Sequence, residues 1–396
     1  MVRKRILYIS VLASEARVNQ EHKRTGNNPG FAVQKFSRLL VKGLIANGAD
    51  VCTLSNPPYV NGKRKYVSSV KEEENGVKYQ YIPYFNFPLL KHFCLFLYAF
   101  CYVLFWGCCR RNDKAIVCDV LHVSICMGAL LASKINRVTS VAVVTDCYGM
   151  MVSMGEHSFG EGMGRRLHSL YRNSFNKYVL LTELMNEVEN TRNRPHIVME
   201  ALCDSSMGNN VEHVEKESPR TVVYAGGIHE RYGLKMLAEG FLKADIEDAK
   251  LVYYGNGPYV EEFKKLSEQH SNLEYRGVVP NEVIVTEELK ASLLVNPRFT
   301  AEEFTKYSFP SKNMEYMVSG TPLLTTKLPG MPKEYYNYVF LFEEETVDGY
   351  AYAIRYALSH SEEELREFGQ KAKRFVLTNK NNIKQGERIL NLIAEH

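Results

Sequence analysis

Short apolar runs rich in Val, Ile, Leu and Tyr recur along this chain, separated by longer stretches whose apolar residues have helical spacing. Such alternation constrains the fold strongly. Parallel strands need a crossover, and a helix supplies it while covering the sheet. RILYIS at 5–10, DVCTLS at 50–55, the run 76–84, DVLHV at 119–123, SVAVVT at 140–145 and YVLLT at 178–182 predict strands of one sheet. Residues 11–30 read as a long polar loop ending in Asn27-Asn28-Pro29-Gly30, and 31–47 as a helix with Phe36, Leu40 and Leu44 near one face. After the polar stretch SSMGNNVEHVEKESPR the pattern starts again. TVVYA, KLVYY, LEYRG, SLLVN and PLLTT predict strands at 221–225, 250–254, 273–277, 292–296 and 322–326, with helices at 233–244, 259–269 and 310–319. The expectation is an α/β chain of two successive doubly wound parallel-sheet, Rossmann-like domains, divided near residue 205.

Composition excludes the main alternatives. With 396 residues, 45% hydrophobic and 24% charged, the chain is neither disordered nor collagenous. Its nine cysteines form no CxxC pair, so neither a zinc knuckle nor a thioredoxin-type site is indicated. The basic start followed by a short apolar run is too brief for a signal peptide, and a cytoplasmic location is expected. Residues 1–204 hold 26 of the 49 Lys and Arg and 16 of the 45 Asp and Glu, a net +10 against −6 for the remainder. A basic half suits anionic lipid, nucleic acid or a phosphorylated substrate, and also an ordinary solvated surface. The segment HFCLFLYAFCYVLFWGCC at 92–109 has no charged residue, with Lys91 before it and Arg110 and Arg111 after it. A spanning helix there would part strands of one sheet across a bilayer. A buried helix flanking the sheet is expected, or one partly inserted in a membrane surface.

Three elements point to chemistry. Gly226 and Gly227 end one strand of the second domain and Gly255 and Gly257 end the next, placing two close-approach loops on the sheet edge where ligands bind in such folds. Arg231 follows the first loop and suits a phosphate. The third element is YSFPSKNMEYMVSGTP at 307–322, where Pro310 suits the first turn of a helix, with Ser308 or Ser311 as capping groups. Lys312 in that turn opposes the helix dipole, which makes sense if an anion binds there. Glu315 lies one turn on. Asp146 follows a strand of the first domain and suits orienting a sugar or acceptor, or capping a turn; Gly30 opens a helix where donor or acceptor can enter. His122 is expected inside a strand as a core histidine. No Asp-x-Asp motif and no His/Cys cluster with ligand spacing is present, so no metal and no cofactor is expected.

These residues resemble glycosyltransferase family 4, the retaining, nucleotide-sugar-using enzymes of the GT-B fold. LLVNPR, FPSKNMEYMVSGTPLL and LPGMPKEYY look like that family's donor-binding segment, and YAGGIHERYGLKMLAEGF like its diphosphate-contact loop and helix. CDVLHV and KYVLLTELMNEV resemble its N-terminal-domain strands, and IVMEALCDSSM the passage into the second domain. The resemblance implies an acceptor-side domain at 1–205 and a donor domain at 206–375, with an interdomain cleft. It also implies that 376–396 packs back on the first domain. Glu315 stands where the second Glu of the family's motif contacts ribose. The first Glu falls on Tyr307, with Glu302 and Glu303 nearby. The family's loop cations fall on Gly227 and Tyr232, leaving Arg231 and Lys312 for the phosphates, and its N-terminal His falls on Ser124. Arg231, Lys312 and Asp146 are thus the catalytic candidates. Gly226, Gly227, Gly255, Gly257, Tyr307, Pro310, Ser311, Glu315 and Gly30 are the donor-binding ones.

The implied activity is metal-independent transfer of a sugar from a nucleotide-diphosphate donor to a hydroxyl of a glycan or lipid-linked acceptor. That suits polysaccharide or glycolipid biosynthesis, with the protein peripheral on an anionic inner leaflet. The competing reading is a GT-B-fold binding or scaffold protein without turnover. A nucleic-acid partner is not expected, because basic–aromatic ribbon motifs are missing.

Overall fold

The computed structural model describes residues 3–26, 30–56, 65–108, 113–147, 159–209 and 214–395. The chain divides into two compact units, one formed by Met1–Leu202 with Asn382–His396 and the other by Cys203–Asn381.

The first unit contains strands β1 (Arg5–Ser10), β2 (Asp50–Ser55), β3 (Tyr66–Val67), β4 (Val70–Glu74), β5 (Val77–Tyr81), β6 (Tyr84–Phe85), β7 (Lys114–Asp119), β8 (Thr139–Val144), β9 (Lys177–Leu180) and β10 (His196–Val198). Eight of them form one sheet in the order β10-β9-β8-β7-β1-β2-β5-β4. All neighbours in it are parallel except β4, which runs antiparallel along the edge. Its helices are α1 (Glu15–Thr25), α2 (Phe31–Ala46), α3 (Pro88–Gly107), α4 (Val123–Asn136), α5 (Phe159–Tyr171) and α6 (Met185–Glu189). The strand order reverses between β1 and β7, which opens a crevice at their carboxyl ends.

Three expectations are corrected here. Residues 15–25 are a helix rather than loop: the Ser14 hydroxyl accepts from the Arg17 N–H, and Gly26 closes the helix in the left-handed region. Only Val18 of it is buried, so no apolar stripe announces it. DVLHV is not a strand. The strand is KAIVCD, and Asp119 ends it by accepting the Leu121 N–H, so that His122 starts α4 outside the strand. Finally, α3 flanks the sheet but buries only Leu95, Ala99, Val103 and Gly107.

The second unit holds a six-stranded parallel sheet in the order β13-β12-β11-β14-β15-β16. Its strands are β11 (Arg220–Gly227), β12 (Ala249–Asn256), β13 (Leu273–Gly277), β14 (Leu293–Asn296), β15 (Leu323–Thr326) and β16 (Phe340–Phe342). Helices α7 (Leu234–Ala244), α8 (Val260–Gln269), α9 (Asn281–Lys290), α10 (Ser311–Ser319), α11 (Val347–Leu358) and α12 (Glu362–Asn379) cover it. Here the order reverses between β11 and β14. The unit extends past the expected limit of 375 because α12 runs unbroken from its Ser361–Glu364 capping box to Asn379.

The last helix, α13 (Asn382–Ala394), belongs to the first unit. It lies on α2, burying Gln385, Ile389, Leu392 and Ile393. Lys177 on β9 donates to the Leu392 and Glu395 carbonyls, both at 2.5 Å, and so satisfies carbonyls that the helix end leaves open. The crossing requires glycine on both sides: a Cβ at Gly43 would overlap the Asn382 carbonyl, and one at Gly386 the Gly43 backbone. Gly43→Ala is therefore expected to force the helices apart and cost about 1–3 kcal/mol, read as a lower denaturant midpoint of the first unit. An unchanged midpoint would mean that α13 is not held at this crossing.

Candidate functional site

Each unit's sheet has one strand-order reversal, and the candidate side chains lie near these two places. In the second unit, α10 is pinned so that its N-terminus meets the carboxyl edge of the sheet. The Tyr316 hydroxyl, fully buried, accepts from the Ala225 N–H at 2.9 Å and donates to the Ala225 carbonyl at 3.3 Å. Asn296 at the end of β14 donates to Asn313 at 2.6 Å, and Thr325 on β15 donates to the Asn296 carbonyl at 2.9 Å. Pro310 is the N-cap residue of α10 and no side chain caps the helix. The expected capping by Ser308 or Ser311 does not occur, since the Ser308 hydroxyl donates back to the Phe304 carbonyl. The first-turn N–H groups of α10 are thus without a side-chain cap, and they carry its positive dipole end. Lys312 lies in this turn and pairs with Glu315 at 2.9 Å.

Past the ends of β11 and β14, two arginines converge on one aromatic pair. Arg231 follows the β11 loop and Arg298 follows β14. The Arg298 guanidinium carbon lies 4.2 Å from the Tyr232 ring centre and 5.8 Å from that of Phe304. For Arg231 the corresponding distances are 5.5 and 5.8 Å. Nε and Nη2 of Arg231 and Nε of Arg298 are buried with no hydrogen-bond partner among the described residues. A buried donor left unpaired is costly, and a guanidinium more so. Its natural partner is a phosphate or carboxylate oxygen. His229 packs against Tyr232 with the rings tilted and their centres 4.9 Å apart, and burial together with the two guanidinium charges holds its imidazole below the usual range. The sequence reading singled out Arg231 and missed Arg298 and His229. The signal for Arg298 was a cation two residues beyond a strand end at the reversal point.

The glycines of the two loops have a packing role. Gly255 sits at φ +126, a region that favours glycine, and a Cβ there would overlap the Gly226 carbonyl; one at Gly257 would overlap the Ile228 carbonyl. The two strand ends are therefore pressed together backbone to backbone. At Gly226 and Gly227 the nearest neighbours of an added Cβ are the Tyr224 hydroxyl at 3.0 Å and the His229 ring at 3.2 Å. Tyr307 ends a short 3-10 turn over Glu303–Lys306, and Glu302 precedes that turn.

In the first unit, Asp119 and His122 lie at the carboxyl end of β7, and Asp146 follows the neighbouring strand β8. Asp119 lies 3.3 Å from the His122 Nε2. The turn they occupy is fixed from behind, with Tyr171 donating to the Val120 carbonyl at 2.5 Å and Cys126 to the Asp119 carbonyl at 3.0 Å. Burial, and then the Asp119 charge, push the Asp146 carboxyl up to about 6. Gly30 is the N-cap residue of α2 at φ +82 with open space around its Cα. Gln34 in the first turn of that helix ties it to the end of β1, accepting from the Ala13 N–H and donating to the Val11 carbonyl. Tyr148 and Gly149, which follow Asp146, lie outside the described residues, as do Asn27, Asn28 and Pro29.

Comparisons with known proteins agree with this architecture. Residues 209–375 match the family model described as "Glycosyl transferases group 1", a segment lying within the second unit. No curated protein sequence matches the chain. Among solved structures, sucrose-phosphate synthase from Thermosynechococcus elongatus is similar at TM-score 0.62 and 13% identity, covering 99% of this chain and all of that one. HepE from Anabaena in complex with UDP is similar at 0.60 and 11%, over 98% of this chain and 99% of the other. An S. aureus TarM variant with fondaparinux, α-GlcNAc-glycerol and UDP is similar at 0.60 and 12%, over 98% and 100%. The fold is that of the GT-B glycosyltransferases.

The raised Asp146 gives a signed pH dependence. Between about 4 and 6 the folded chain binds a proton at this carboxyl that the unfolded chain has released, so Asp146 makes stability fall as pH rises through that window and then level off. Asp146→Asn is expected to remove this contribution and to raise stability at pH 7 by about 2–3 kcal/mol, measured by denaturant unfolding across pH. Superimposable profiles for the two proteins would place Asp146 in a solvated setting instead.

Proposed function

We propose that this protein is a glycosyltransferase that moves a sugar from a nucleoside-diphosphate donor to a hydroxyl of a glycan or lipid-linked acceptor. The observation that carries the reading is the pair of half-buried arginines at the β11–β14 reversal whose buried Nε atoms, with Nη2 of Arg231, have no hydrogen-bond partner among the described residues, within the segment that matches group 1 glycosyl transferases. The donor diphosphate is the anion that satisfies Arg231 and Arg298, with the first-turn N–H groups of α10 beside it. Lys312 exchanges its Glu315 partner for a phosphate oxygen, and Glu315 is thereby freed to accept from a ribose hydroxyl. Gly226, Gly227, Pro310, Ser311 and Tyr307 line the approach, and Gly255 and Gly257 hold the loops in place. UDP in two of the similar structures supports a nucleoside diphosphate leaving group.

In the reaction the bond from the anomeric carbon to the diphosphate oxygen breaks as the acceptor oxygen bonds to that carbon. The acceptor's proton passes to the departing phosphate oxygen on the same face, which retains the anomeric configuration without a protein nucleophile. Charge grows on the diphosphate as the bond breaks, and fixed cations and helix N–H groups stabilise that charge more than the ground state. Neutralisation by protein cations makes the reaction metal-independent in this reading. Asp146 and His122, in the first unit, serve the sugar or acceptor. The basic first 204 residues favour an acceptor near an anionic inner leaflet.

Titration with UDP, followed by calorimetry or thermal shift, tests the donor site. Arg231→Ala and Arg298→Ala are each expected to weaken binding about 10- to 100-fold, the scale of a hydrogen bond to a charged group. Glu315→Gln should weaken nucleoside diphosphates relative to inorganic pyrophosphate, whose binding gains from the lysine it releases. Full UDP affinity in both arginine variants would remove the diphosphate from this crevice. UDP binding without transfer from any of a panel of UDP-sugars would favour the binding-protein reading.

A further inference from the structure

The outward face of α3 is apolar, exposed and rigidly held. Among the described residues α3 is the one helix long and apolar enough to cross a membrane, yet only 17% of its apolar window is buried. Leu95, Ala99, Val103 and Gly107, at intervals of four, form the buried row. On the opposite side lie Leu89, Phe93, Leu97 and Phe105, also on a four-residue spacing, with Leu89 87%, Phe93 59% and Phe105 77% exposed. Phe85 and Phe87 just before the helix, and Leu131 and Ile135 on α4, are exposed as well.

Burial on the inner side fixes this face. A Cβ at Gly128 of α4 would overlap the Phe96 carbonyl, so the two helices touch backbone to backbone. Asn136 donates to the Leu104 carbonyl at 2.7 Å, and His92 Nδ1 lies 2.8 Å from the Ser124 hydroxyl. Parallel contacts at the start, middle and end of α4 leave α3 no freedom to roll its apolar side inward. A face of this kind on a soluble unit marks an interaction surface.

A spanning role conflicts with the sheet. β5 precedes α3 and β7 follows it, and both belong to the sheet in which β7 pairs with β1. Charge then selects the occupant. No Asp or Glu occurs from 75 to 112 or from 120 to 145, the stretches that carry α3 and α4, whereas Lys91, Lys134 and Arg137 are described cations there. A twofold pairing of two copies would set these cations against their own images. An anionic bilayer matches both the apolar centre and the basic border.

We infer that the α3 face is a membrane-docking surface, lying in the interface of an anionic bilayer with Leu89, Phe93, Leu97 and Phe105 inserted among the acyl chains and α3 parallel to the membrane plane. This stands independently of the transferase reading, since it needs neither donor nor acceptor. The test is flotation of the full chain with vesicles of phosphatidylcholine alone or with phosphatidylglycerol added, without nucleotide. The protein is expected to float with anionic vesicles at least tenfold more than with neutral ones, and to keep part of that binding in high salt. Leu97→Glu/Phe105→Glu, at exposed positions and with an unchanged unfolding midpoint, should lose at least tenfold of the partitioning, about 1.4 kcal/mol. Lys134→Glu/Arg137→Glu should lose mainly the salt-sensitive part. Absence of flotation at low salt, or equal flotation of the Leu97/Phe105 variant, overturns the inference. So does a dimer in sedimentation velocity that this variant abolishes, which would assign the face to a second copy.

Discussion

A single buried hydroxyl organises the second unit. Tyr316 cannot leave its oxygen unpaired in a site closed to water, and it bonds the N–H and carbonyl of Ala225, near the end of β11. Satisfying it fixes where α10 lies against the sheet, and the Asn296–Asn313–Thr325 contacts fix the same helix a turn earlier. The consequence is positional. The uncapped start of α10, Lys312 and the strand ends that carry Arg231 and Arg298 are brought to one edge by packing alone, before any ligand arrives.

That order of events accounts for the unpaired guanidinium edges. Tyr232 and Phe304 hold the two cations by their faces, which costs little desolvation at the ring side and supplies no hydrogen-bond acceptor. In the proposed donor site these cationic donors are therefore in place before an anion binds. The ion pair between Lys312 and Glu315 works in the opposite sense. It keeps the first turn of α10 near neutrality, and in the proposed donor site a phosphate would compete for the lysine.

Much of the fold was legible in the sequence because buried parallel strands are continuous apolar runs bounded by turns. RILYIS, DVCTLS and LEYRG coincide with β1, β2 and β13. Legibility failed where that logic is suspended. α1 buries Val18 alone and has no apolar stripe, and β4, VKEEE, is a charged edge strand whose side chains meet solvent. Across β7 and α4 the apolar run continues through the turn, so only the Asp119 side-chain contact shows where the strand stops. In the site, Gly226, Gly227 and Arg231 could be read from their place after a strand. The partnership of Tyr316 with Ala225, 91 residues apart, and of Arg298 with Phe304 and Tyr232 depends on tertiary neighbours that no local pattern encodes.

The backbone contact between Gly255 and Gly226 has a bearing on how relatives of this chain diverge. Two adjoining strands that meet with no side chain between them admit no substitution at Gly255, whatever the unit binds. A relative that had lost its ligand altogether would keep this glycine, since its sheet would fail to close without it. Arg231 and Arg298 are under the reverse constraint: they burden the empty fold, and drift would discard them first once the anion was no longer used. In a lineage of such chains, the glycines would trace the architecture and the arginines the chemistry.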